Sequence, residues 1–150
     1  MAEHVATIEW RSDGGFVSGR YSRGHIWRFD GGTEVPASSS PHVVPLPMSD
    51  PAGVDPEEAL VASASSCHLL WFLHVARDAG YEVASYNDAA RGIMGKDEAG
   101  RIAIIRIVLR PTIEFVGPAP DGQALERLHH DAHEQCFIAN SLRSEIVVES

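Results

Sequence analysis

The 150-residue chain has only two cysteines, Cys67 and Cys136, too few for the disulfide framework of a small secreted protein. Standing 69 positions apart, they match no zinc-ribbon or CxxC pattern. Two is nevertheless the number a reversible thiol couple needs. Positive charge is also short: 12 Lys and Arg against 21 Asp and Glu leave a net charge of −9, which argues against nucleic acid or another polyanion as partner. Long hydrophobic runs are absent as well. The most apolar stretch, Cys67 to Ala76, is ten residues interrupted by His68 and His74, far short of a membrane span. Residues Met1 to Ser12 alternate apolar with polar and carry Glu3 and Glu9, unlike a secretory leader. These absences predict a soluble cytoplasmic protein of a reducing compartment, with no nucleic-acid or membrane partner. At 44% hydrophobic and 22% charged, without repeats or low-complexity segments, the chain has the balance of a single domain over residues 1–150 with a real core.

The first third reads as strands. Ala6, Ile8 and Trp10 alternate with Thr7 and Glu9, a turn falls at Ser12-Asp13-Gly14-Gly15, and Phe16 to Tyr21 and His25 to Phe29 complete a three-stranded meander before Asp30-Gly31-Gly32. From Thr33 to Val54 the chain turns to proline, serine and glycine without periodicity, a length that points to a functional lid or to a segment packed on a partner chain. Asp55-Pro56-Glu57-Glu58 then supplies an N-cap acceptor, a proline at the first helical position and a glutamate placed to close a capping box. The helix that follows carries Leu60, Ala64, Cys67, Trp71 and Val75 as one stripe and few charges elsewhere, so burial nearly all round is expected, ending at Gly80. Two long strands, Tyr81 to Met94 and Arg101 to Phe115, flank a turn over residues 95–100. A second helix spans about Gln123 to Ala139 with Leu125, Leu128, Ala132 and Cys136 on one stripe, and Ser144 to Val148 forms a terminal strand. Strands, helix, strands, helix and strand make an α+β pattern with two central helices, one cysteine on each.

The plain alternative for such cysteines is ordinary burial, since a free thiol behaves as a small hydrophobe. Against it, Ser65, Ser66 and His68 surround Cys67 with polar groups inside an apolar helix, and arginines at positions 20, 23 and 28 are available to hold a thiolate. His129, His133 and Cys136 recur at i, i+4 and i+7, which would put three metal ligands on one straight helix face. The spacing is common by chance, however, and no metal is assigned. His25, His68 and His74 read as structural hydrogen-bonding groups.

The segment Asp55 to His68, Asp-Pro-Glu-Glu-Ala-Leu-Val-Ala-Ser-Ala-Ser-Ser-Cys-His, resembles the signature of the OsmC/Ohr family of organic hydroperoxide reductases, with Glu57 ten residues before Cys67. Cys136, in His-Glu-Gln-Cys-Phe-Ile-Ala-Asn-Ser-Leu, falls where the family's second cysteine falls, and Tyr21-Ser22-Arg23-Gly24-His25 resembles an OsmC-like branch distinct from typical Ohr. The resemblance implies an OsmC-like fold: N-terminal antiparallel strands, two central helices carrying the cysteines, further antiparallel strands, and an intertwined homodimer. It implies a thiol peroxidase with Cys67, Cys136, Glu57 and an arginine as catalytic residues and no cofactor. Arg23 is favoured for that arginine over Arg20 and Arg28. Cys67 would reduce an alkyl or fatty-acid hydroperoxide and pair with Cys136, an external dithiol such as a lipoyl protein would regenerate both thiols, and Leu70, Trp71 and Phe72 would favour a bulky substrate. Phe137 departs from the family's proline after the second cysteine. The competing implication is an OsmC-like module that binds a small ligand or metal without turnover.

Overall fold

The computed structural model describes residues 1–149. They divide into two compact units, Met1–Ala59 and Leu60–Ser150, with a long helix running from the end of the first into the second.

In the first unit, β1 (Ala6–Glu9), β2 (His25–Phe29) and β3 (Glu34–Ala37) form an antiparallel sheet in chain order. The expected meander exists, but its third strand is β3, drawn from the segment read as featureless. Residues 16–21 are not a strand. Hydrogen bonds from Gly19 N to Phe16 O and from Arg20 N to Gly15 O fold them into a turn. Phe16 and Tyr21 then pack against each other and against Trp10, with ring centroids 5.0–6.0 Å apart. An aromatic cluster has consumed the residues whose alternation imitates a strand.

Helix α1 (Pro56–Asp78) starts where the capping chemistry puts it. Glu58 N donates to Asp55 Oδ1 and Asp55 N to Glu58 Oε1, both at 2.8 Å, so the box is closed in both directions. An Asp55→Ala substitution is expected to cost about 1 kcal/mol, read as a lower urea midpoint at unchanged m-value. The helix ends before Gly80, whose φ of 88° is the left-handed conformation a terminating glycine supplies.

The expectation of burial all round does not hold. One stripe, Ala64, His68, Phe72 and Ala76, is buried, while Leu70 and Leu73 are exposed. By length and composition α1 is also sufficient to cross a membrane, with mean hydropathy 1.5 and 22% of the window buried. Counting uninterrupted apolar residues concealed this, because alanine, serine and histidine separate the large side chains without adding charge. The buried stripe packs as in a protein core. Phe72 and Ala76 join Leu128 and Ala132, and Ala64 joins Ile107 and Leu109.

The two long strands of the second unit are each broken. They become β4 (Glu82–Asp88), β5 (Arg91–Lys96), β6 (Ile102–Leu109) and β7 (Pro111–Val116), with β4 paired to β7 and β5 to β6. The breaks coincide because Asp88 Oδ1 accepts Arg110 N at 2.6 Å, taking that N–H out of the ladder, and Pro111 has none to offer. A glycine allows α1 to lie against β5: a Cβ on Gly92 would sit 2.6 Å from Val61 Cγ2. The terminal strand, β8 (Glu145–Val148), is present but runs parallel to β6 rather than antiparallel. The second helix is two: α2 (Gly122–Gln135) and α3 (Phe137–Ser141), with Cys136 between them.

Candidate active site: two thiols where helices meet

Cys67 lies mid-way along α1, and Cys136 is at once the C-cap of α2 and the N-cap of α3. Its N–H bonds back to His133 O, and its sulfur accepts Ala139 N at 3.4 Å. The interruption removes Cys136 from the helix face of His129 and His133. Among the described residues, no three His, Cys, Asp or Glu side chains are grouped to hold a metal ion. Phe137 occupies the first position of α3, where a proline would be equally at home because that N–H needs no helical partner. The break therefore persists without the proline.

The thiols, far apart in sequence, come close enough for Cys67 to disfavour ionisation of Cys136. Both are free; Cys67 is half-buried and Cys136 is buried. Burial, reinforced by the neighbouring Cys67 thiol, pushes the Cys136 thiol above its ordinary pKa. One half-buried and one buried sulfur side by side suit a pair in which the first meets a reagent and the second closes onto it.

The polar groups beside Cys67 anchor the helix rather than the thiol. Ser65 Oγ donates to Asp88 Oδ2 on β4, and His68 Nε2 is hydrogen-bonded to His129 Nδ1 on α2 at 3.0 Å. Burial and mutual proximity lower His68 to about 4, and burial lowers His129 to about 4, so both imidazoles are neutral at neutral pH. His74 forms an exposed pair with Asp78 at 3.3 Å. Phe72 was expected beside a substrate but is fully buried, its ring 4.6 Å from that of His129. The apolar side chains left near the thiols in the chain are Leu70, Trp71 and Phe137. The last is 69% exposed and stands edge-on to Trp71 with centroids 5.5 Å apart.

The remaining expected site residues belong to the first unit. Glu57 is half-buried in the first turn of α1. Arg23 lies over the Tyr21 ring at 3.5 Å and donates to Tyr21 O and Gly19 O. Arg28 is held by Glu9 and Glu34, and Arg20 is exposed. Arg23 and Arg28 are thus separately engaged. In the Tyr21 to His25 motif, Trp27 Nε1 donates to His25 Nε2, which leaves His25 Nδ1–H to donate to Arg23 O at 2.8 Å. His25 therefore braces the backbone of Arg23. The sequence reading missed the His68–His129 pair; the signal available was a histidine in each apolar stripe.

A family model described as OsmC-like protein matches residues 49–150. The comparison with curated proteins returns no match. Among solved structures, an OsmC-like protein of unknown function from Vibrio cholerae O1 is 51% identical, with 99% of each chain covered and a TM-score of 0.96. An organic hydroperoxide resistance protein from Elizabethkingia anophelis is 20% identical, with 99% of this chain and 93% of that chain covered and a TM-score of 0.70. A putative organic hydroperoxide resistance protein from Vibrio cholerae O1, with captopril bound in one of its active sites, is 21% identical over 99% of this chain and 90% of that one, at a TM-score of 0.69. These last two share the fold with this chain.

Proposed function

The chain belongs to the OsmC-like protein family, and on that premise we propose that it is a cysteine-based peroxidase that reduces organic hydroperoxides to alcohols. The observation that carries this reading is the contact between half-buried Cys67 and buried Cys136. The Cys67 thiolate attacks the distal oxygen of ROOH, the O–O bond breaks, and the alkoxide takes a proton from solvent to leave as ROH. Cys67 is left as a sulfenic acid. The Cys136 thiol then attacks that sulfur, its proton leaves with the hydroxyl as water, and a disulfide forms. An external dithiol, such as a lipoyl protein, returns two electrons and two protons by thiol–disulfide exchange. No cofactor or metal enters any step. Exposed Leu70 and Phe137, with half-buried Trp71, favour an alkyl or fatty-acid hydroperoxide over hydrogen peroxide.

Arg23 holds the thiolate in this reading, and Glu57 orients its guanidinium by a bidentate ion pair. Glu57 and Cys67 share the continuous helix α1, so ten residues of rise separate their backbones by about 15 Å. That separation favours completion of the site by a second copy, in an intertwined homodimer of one 150-residue domain per chain. The uncovered side of α1, with Leu70 and Leu73, supports the same assembly. Light scattering at micromolar concentration should return twice the 16.3 kDa chain mass; an active monomer would overturn the shared site. The location proposed is the cytoplasm.

The peroxidase reading is tested by adding cumene hydroperoxide to the reduced protein. Two thiols per chain should be consumed, with mass-spectrometric detection of a Cys67–Cys136 bond. Unchanged thiols would leave the fold as a binding module and end the peroxidase proposal.

A further inference from the structure

Helices α1 and α2 touch through two polar contacts, and only one of them is the thiol pair. The other joins the residue after Cys67 to a residue seven before Cys136: His68 Nε2 lies 3.0 Å from His129 Nδ1, with the rings stacked 5.3 Å apart and 13° from parallel. Both are buried, at 1% and 7% exposure, with the Phe72 ring 4.6 Å from that of His129. Hydrophobic residues of similar shape would fill this space without the cost of burying two imidazoles.

The tautomers follow from the one unpartnered atom. His68 Nδ1 is buried and has no hydrogen-bond partner. A buried N–H without an acceptor is rarer and costlier than a buried lone pair. Hence His68 Nε2–H donates, His129 Nδ1 accepts, and His68 Nδ1 carries only its lone pair. The bond has one direction and short reach, which dispersion contacts between the same helices lack.

We propose that the His68–His129 hydrogen bond is a positioning element that holds Cys67 and Cys136 at disulfide-forming distance. Seven residues of rise put His129 about 10 Å from Cys136 along the chain of α2. The packing of Phe72 and Ala76 on Leu128 and Ala132 is non-directional and tolerates a small slide of α1, and a directional hydrogen bond this far along α2 fixes the register. The constraint matters because disulfides tolerate only about 4.4–6.8 Å between Cα atoms. Cys136 sits at the break between α2 and α3, so its own segment does not supply that rigidity. Ser65 Oγ separately ties α1 to Asp88 on β4.

The inference rests on the thiol-couple reading above, and one experiment separates them. Equilibration of the protein with dithiothreitol redox buffers, without peroxide, measures exchange of one protein disulfide for two thiols against the reagent's own dithiol and disulfide. His68→Gln retains a polar group near Nε2 and His129→Asn one near Nδ1, so each should stay within about twofold of the wild-type constant. His68→Asn and His129→Gln misplace the amide, and His68→Leu and His129→Leu remove it. Each of these four should make the disulfide at least tenfold easier to reduce, about 30 mV. A merely structural role lowers the melting temperature but affects both redox forms alike. If the misplaced-amide variants match the wild-type constant, the positioning role is overturned and the thiol couple stands. If the wild type forms no disulfide under any buffer, both proposals fall.

Discussion

Replacement of Cys67 by serine is expected to abolish turnover of cumene hydroperoxide, lowering the rate by roughly three orders of magnitude or more. A serine hydroxyl is almost wholly protonated at neutral pH, and its oxygen is a poor nucleophile toward a peroxide oxygen. Cys136→Ser should behave differently. Cys136 is buried, and burial together with the Cys67 contact disfavours its thiolate, so it is unsuited to the first attack. The variant should therefore consume one equivalent of peroxide, stop, and accumulate a sulfenic acid that dimedone traps at Cys67. Pre-steady-state peroxide consumption in the two variants reads both roles. A first equivalent retained by Cys67→Ser and lost by Cys136→Ser would reverse the assignment. Unchanged turnover in both would remove the thiols from the chemistry.

That asymmetry was only half legible in the sequence. The capping box at Asp55 and the glycine after Arg77 located α1 because caps are local chemistry, read within four residues. The resemblance around Cys67 and Cys136 singled out the two cysteines, and their proximity across 69 positions is a product of the fold. The state of each sulfur was not readable, because it depends on which face of α1 finds neighbours. Cys67 belongs to a plausible apolar stripe with Trp71 and Val75, but the buried stripe is one position on, through His68 and Phe72. In a helix with apolar residues on every side, periodicity does not choose the buried face. The β-strands and α2 do.

The strand errors share a cause. Alternation marks residues that alternate between environments, but it does not say which partner they meet. Phe16 and Tyr21 satisfied their hydrophobicity against Trp10 within a turn. Tyr81 to Met94 and Arg101 to Phe115 read as continuous because apolar residues continue across both breaks. The exchange of partners there depends on one long-range bond, from Arg110 N to the Asp88 carboxylate. Breaking the second helix at Cys136 was similarly hidden, since the family's proline, the usual breaker, is here a phenylalanine. The cap formed by the Cys136 sulfur preserves the break.

Acid should destabilise the protein well above the range in which carboxylates titrate. His68 and His129 are lowered from an ordinary value of 6.5 to about 4 in the folded chain, burial being the main cause for each. Well above pH 6.5 both are neutral whether folded or unfolded, and there they add no pH dependence. As pH falls below 6.5 the unfolded chain binds protons that the folded chain refuses, so stability falls until pH nears 4, where the folded histidines also protonate. Each contributes at most about 1.4 kcal/mol per pH unit, so the pair removes several kcal/mol across the window, a large part of a typical domain's stability. The Asp88 carboxylate from β4 eases protonation of both imidazoles, whereas His133 on α2 opposes that of His68, and these opposing influences act across the same window. Glu9 is held below the usual carboxylate range by Arg28 and then Arg11, so its contribution is lost only as pH falls through the carboxylate range, at the acid end of this window. Urea midpoints measured at half-unit steps from pH 7 to pH 4.5 should decline steeply for the wild type. They should be much flatter for the double variant His68→Gln, His129→Asn, which keeps the hydrogen-bonding positions but cannot titrate. A wild-type midpoint constant over that range, or a double variant that declines as steeply, would show that the buried histidines are not the acid-sensitive element.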